Sequence, residues 1–175
     1  AALPNDDPAL VQAHLARAEV ERERGRLREA AADYELAESL LNAADAGAQE
    51  PMAQAQLGLG EVARAQQRWP TAEAAFTRAL AIRERLHGSA DPSLIEPLIG
   101  QCNAATGRGH QQQAIATCRR ALTIAERPSG APGAGAARLA LARALWSQAA
   151  STATATPPVR MQILGLARAG LAELQ

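Results

Sequence analysis

Apolar residues return at every third to fourth position over most of the chain, and short polar turns interrupt them at regular intervals. That spacing predicts eight helices, over about residues 8–24, 27–45, 51–66, 70–87, 92–106, 110–127, 133–149 and 158–173. The turns Gly25-Arg26-Leu27, Gln67-Arg68-Trp69-Pro70 and Gly107-Arg108-Gly109-His110 divide them into pairs. Glycine there supplies the left-handed residue that ends a helix, and Pro70 opens the next. Linkers fall near 46–50, 88–91 and 128–132, and the Thr-rich stretch up to Pro157 reads as a mobile loop inside the last pair.

The pairs repeat. Ala72 to Arg85 and Ala114 to Arg127 lie 42 residues apart and agree at eight of fourteen positions, including Ala79/Ala121, Leu80/Leu122 and Ile82/Ile124. Pro8, Pro51, Pro92 and Pro132 recur at steps of 43, 41 and 40 residues. Proline suits the first turn of a helix, where its missing N–H costs nothing. Asp7 and Asp91 precede two of them and can cap the exposed N–H groups. An isolated antiparallel pair cannot bury both faces, whereas stacked pairs build a continuous core. The expected units are about 8–45, 51–87, 92–127 and 133–173, the last degenerate and capping, all within one domain of 175 residues.

Composition sharpens this. There are 44 alanines against one Phe, one Tyr and two Trp, so the core must come from closely approaching helices rather than from large aromatics. All 18 basic residues are Arg. Net charge is zero but graded: residues 1–50 carry five Arg against eleven acids, and residues 100–175 carry eight Arg against two. Neutrality and scarce stacking aromatics argue against a nucleic-acid partner. No apolar run approaches the length of a membrane span. Two cysteines do not make a disulfide framework. The start, AALPNDDPAL, is unlike a signal peptide and has no initiator Met. It is therefore expected to come from a longer, soluble, cytoplasmic polypeptide.

The units resemble the tetratricopeptide repeat, a helix–turn–helix motif with small residues at its eighth, twentieth and twenty-seventh positions and an aromatic at its twenty-fourth. Ala18, Ala30, Tyr34 and Ala37 fill these slots in the first unit; Gly60, Ala72, Phe76 and Ala79 in the second; and Cys102, Ala114, Cys118 and Ala121 in the third. The 42-residue spacing and the phrase ALAIRERLHGSADPSL are similar to the long-repeat variety of kinesin light chains and bacterial signalling proteins, and LARALW to the helical regions of bacterial Ser/Thr kinases. The resemblance implies an all-α, right-handed α-solenoid of about four antiparallel helix pairs. It implies a non-catalytic scaffold that binds a peptide or protein in a concave groove and is part of a larger bacterial signalling protein. A structural or self-association module is the alternative.

In the family the groove is lined by first helices, at positions that share one helical stripe. Here that stripe reads Gln12, Leu15, Glu19, Arg22; then Gln54, Leu57, Glu61, Arg64; then Glu96, Ile99, Asn103, Thr106. Trp146 is an aromatic candidate at the groove's end or a cover for the core. Leu15, Leu57 and Ile99 would supply apolar contacts, and Arg22 and Arg64 would reach acceptors. Equally, Glu19–Arg22 and Glu61–Arg64 are i, i+3 pairs that can satisfy each other. Without lysine, and with Leu57 at a clamp position, a carboxylate clamp for C-terminal tails is not expected. His14, His87 and His110 lie in different units and away from acids at ligand spacing, so neither metal nor cofactor is expected. His87 should end the fourth helix and His110 open the sixth. Cys102 and Cys118 fill packing slots as small buried hydrophobes. A Cys118/His110 nucleophile would lack an orienting acid.

Overall fold

The computed structural model describes residues 8–41, 46–127, 133–152 and 154–174. Its regular structure is all helical: α1 Pro8–Glu23, α2 Leu27–Ser39, α3 Gln49–Ala65, α4 Trp69–His87, α5 Ile95–Gly107, α6 Gln111–Ala125, α7 Ala134–Ser151 and α8 Pro157–Ala172. Two short 3₁₀ turns, Ala46–Ala48 and Pro92–Leu94, lead into α3 and α5. Asp91 Oδ1 accepts the Ser93 N–H at 2.9 Å with Pro92 in the first turn, so the predicted cap is present. Asp7 and Pro132 lie outside the described residues. Gly25 and Gly109 take the expected left-handed conformation, and Gln67 adopts it at the equivalent turn without being glycine. His110 stands just before α6, without a side-chain cap bond, and His87 ends α4. The Thr-rich loop is shorter than expected, because α7 runs on to Ser151. Alanines at 149 and 150 simply continue the helix.

The chain divides into two compact units, Ala1–Leu86 and His87–Gln175. In the first, Val11, Leu15, Ala18, Ala30, Tyr34, Ala37, Ala55 and Val62 form one core cluster across α1, α2 and α3. The small slots are sealed: Ala18, Ala30, Ala37, Ala72 and Ala79 are all at 0% exposure. Glycine lets the aromatics in. A Cβ on Gly58 would fall on the ring of Tyr34, and one on Gly60 would lie 2.7 Å from the ring of Phe76. Each ring thus occupies the volume that a side chain on α3 would need.

A buried carboxylate ties α1 to α2. Asp33, almost fully buried, accepts from Arg17 Nε at 2.6 Å and from Arg17 Nη2, and its Oδ1 lies 3.1 Å from His14 Nδ1. The hairpin therefore brings a histidine to an acid 19 residues away, which helical spacing alone does not reveal. The Arg17 hydrogen bonds hold the Asp33 carboxyl below the usual range against the opposing effect of burial, with His14 adding to the lowering. Since the folded-state value is depressed, this stabilisation is complete above the ordinary carboxylate range and is lost as pH falls through it, near pH 4 and below. Thermal unfolding followed by circular dichroism should show a flat melting temperature down to that range and a fall beneath it. Asp33→Asn should flatten the fall; an unchanged acid slope would remove Asp33 as its source.

In the second unit Ala105, Ala114, Ile115, Ala140, Leu141 and Ala144 surround Cys102 and Cys118. The two cysteines are not free hydrophobes: they form a disulfide, with their Cα atoms 5.5 Å apart. This corrects the reading from composition, and the repeat explains it. Cys102 and Cys118 fill the eighth and twenty-fourth slots, the same two that Gly60 and Phe76 fill in contact in the pair before. Two cysteines at slots that touch are within bonding reach. While the bond is formed, Cys118 carries no thiol to act as a nucleophile. Further on, α7 and α8 cross so closely that a Cβ on either Gly135 or Gly170 would lie 2.7 Å from the other residue's carbonyl oxygen. Arg138 on α7 donates to Glu126 Oε1 at 2.7 Å and to Glu173, joining the ends of α6 and α8.

Candidate functional site

The predicted stripe on α1 and α3 separates into accessible and inaccessible members. Gln12 and Gln54 are exposed, while Glu19, Arg22, Glu61 and Arg64 are half-buried. Leu15 is 1% exposed and Leu57 7%. Neither presents an apolar surface to a ligand, which corrects their expected role. Leu15 turns with Val11 and Ala18 into the seam against α2. What remains in this unit is a polar strip.

Its charges are fixed in pairs. Arg22 Nε donates to Glu19 Oε2 at 3.1 Å and Nη2 donates to Oε1. Arg64 Nε and Nη2 donate to Glu61 Oε2 at 2.9 and 2.6 Å. Glu19 has a further donor, the Tyr34 hydroxyl at 2.7 Å, which reaches it from α2. Its carboxyl is lowered chiefly by the Arg22 hydrogen bond, with Tyr34 assisting against burial. Arg22 is raised, first by its bond to Glu19. Burial, then the bond to Glu19, pushes the Tyr34 phenol far above its ordinary range. All three groups hold one protonation state across the physiological range. The link from Tyr34 was not legible beforehand, because the aromatic slot reads as packing alone.

The other candidates belong to the second unit. Ile99 on α5 is half-buried and packs on the cluster around the disulfide. Asn103 is half-buried, and Trp146 on α7 is 50% exposed, so it does not seal that core. Among the described residues no group of three or more His, Cys, Asp or Glu side chains could hold a metal ion. No described helix is long and apolar enough to cross a membrane.

Residues 51–127, which span α3 to α6, match the tetratricopeptide repeat family. No curated protein matches the chain in sequence. Among solved structures it is similar to BtubC (BKLC) from P. vanneervenii, at 19% identity and a TM-score of 0.75. The match covers 96% of this chain but 66% of that one, so the chain spans slightly less than two thirds of its length. At that identity the likeness establishes the fold class, an all-α array of tetratricopeptide-type helix pairs.

Proposed function

Residues 51–127 are tetratricopeptide repeats, the mark of a protein-interaction scaffold, and from that premise we propose that the protein is a non-catalytic module that holds a peptide or protein segment along the strip of α1 and α3. One observation carries this reading. The same Gln, Glu and Arg return 42 residues apart, at Gln12/Gln54, Glu19/Glu61 and Arg22/Arg64, and in both copies the arginine is held by the glutamate one turn before it. A guanidinium has five N–H donors, and these bonds engage only two of them. Each arginine is thus fixed in position with donors to spare, which lowers the entropy lost when a ligand's carbonyl or carboxylate arrives. Affinities near micromolar, about −8 kcal/mol, suit such a polar surface. The setting is a larger bacterial signalling protein.

The test compares the protein with an Arg22→Glu/Arg64→Glu variant as bait in lysate of the source organism. Both baits must show the same helical circular dichroism. A bound protein, once identified and purified, should bind the variant roughly tenfold or more weakly. Equal affinity would remove the strip as the site.

A self-association reading has its own support. On α8, Met161, Leu164 and Leu171 are 65%, 49% and 54% exposed, while the helix packs on α7. Sedimentation at rising salt separates the cases: a dimer through the charge gradient weakens with salt, an apolar one through α8 does not. A cytoplasmic setting is part of the proposal, and trapping thiols with acid in intact cells tests it. The Cys102–Cys118 bond of the structure is the form an oxidising compartment favours, so a bond found intact in cells would overturn the cytoplasmic setting and free thiols would support it.

A further inference from the structure

On another side of the first unit a cleft of about 730 Å³ opens between α2 and α4, with α3 as its floor. Its lining is mixed: Ala31 and Ala32 on α2 and Ala74 and Ala75 on α4 are small, α3 contributes Leu59 and Val62, and Gln56, Gln66 and Thr71 add polar groups. Alanine at these places leaves room that larger side chains would fill, and the volume falls within the range of ligand sites. The charges along it are sorted. At the end where α2 and α4 begin, the lining charges are Arg28 and Arg68. Farther along stand Glu35 and Glu38, near the level of Arg78, which is one 42-residue repeat from Leu36. Glu38 is already engaged by Gln56 Nε2 at 2.7 Å. Arg28 and Arg78 have no partner among the described residues, and Arg68 has only a long bond to Gln66 at 3.4 Å.

Unpaired guanidinium groups beside a cleft with small alanine side chains and an apolar patch at Leu59 and Val62 describe a receptor for carboxylates followed by an apolar side chain. We propose that this cleft is a second binding site, independent of the strip on α1 and α3. It takes a short acidic segment of a partner protein, with its carboxylates between Arg28 and Arg68 and its apolar residue on Leu59. A basic segment is disfavoured at that end by the same two arginines.

The experiment uses the full chain with ¹³C-labelled alanine methyls and two acetylated hexapeptides, Glu-Glu-Ala-Leu-Ala-Ala and Lys-Lys-Ala-Leu-Ala-Ala. The acidic probe should shift the methyls of Ala31, Ala32, Ala74 and Ala75 saturably, and the basic probe should not. Arg28→Glu/Arg68→Glu should weaken the acidic probe roughly tenfold or more. Arg28→Lys/Arg68→Lys should retain much of the affinity, and Arg22→Glu/Arg64→Glu should leave it unchanged. The proposal fails if these four methyls do not move, if both probes move them equally, or if the charge reversal has no effect. Shifts that instead vanish with the Arg22/Arg64 variant would transfer the acidic ligand to the strip.

Discussion

Gly58→Val is expected to destabilise the first unit by about 3 kcal/mol, the upper part of the usual range for overpacking a core. Helix propensity alone predicts the opposite sign, since glycine inside a helix costs up to about 1 kcal/mol relative to alanine. The difference is the Tyr34 ring. It lies where the new Cβ would stand, it is 2% exposed, and its hydroxyl is bound to Glu19. The ring cannot swing aside without breaking that bond and opening the seam between α2 and α3. Even Gly58→Ala should therefore lose stability, despite its better propensity. Gly165 on α8 is the control, because a Cβ there meets nothing within 4 Å. Gly165→Ala should gain up to about 1 kcal/mol. Denaturant unfolding followed by circular dichroism measures all three. A stabilising Gly58→Ala would show that the ring does not occupy that space.

The second large effect belongs to the disulfide. Cys102 and Cys118 are 16 residues apart, and closing a loop of that size stabilises by about 3 kcal/mol through the unfolded chain. Reduction, or Cys102→Ser/Cys118→Ser, should lower the stability of the second unit by about that amount and leave the first unit's transition in place. The repeat also suggests a rescue. Cys102→Gly/Cys118→Phe would install the small–aromatic pair that Gly60 and Phe76 form in the preceding repeat. That variant should recover part of the loss and should no longer respond to reductant. Reduction that left the parent's midpoint unchanged would argue that the bond adds nothing to folding.

The two predictions mark where the sequence was readable. The twelve slot residues of the first three repeats are all buried, from Ala18 to Ala121, because a helix pair needs small residues where its backbones approach. Such requirements are local, so spacing reveals them. The stripe on α1 and α3 was legible only in part. Its period places Leu15 and Gln12 on one face, but the contact with α2 decides that Leu15 faces the core while Gln12 faces water. A stripe has width, and neighbours take one of its edges.

From sequence alone came the helices of the described residues, their pairing and the 42-residue repeat, set by helical periodicity and by proline and glycine at fixed offsets, together with the resemblance that residues 51–127 bear out. Tertiary structure decided what crosses between helices: the Cys102–Cys118 bond, Asp33 between His14 and Arg17, Tyr34 over Gly58 with its hydroxyl on Glu19, and the cleft between α2 and α4. The physical reason is reach. Periodicity specifies which face of a helix a residue occupies, whereas partners 15 to 19 residues or a whole repeat away are fixed only when helices pack at a particular distance and rotation.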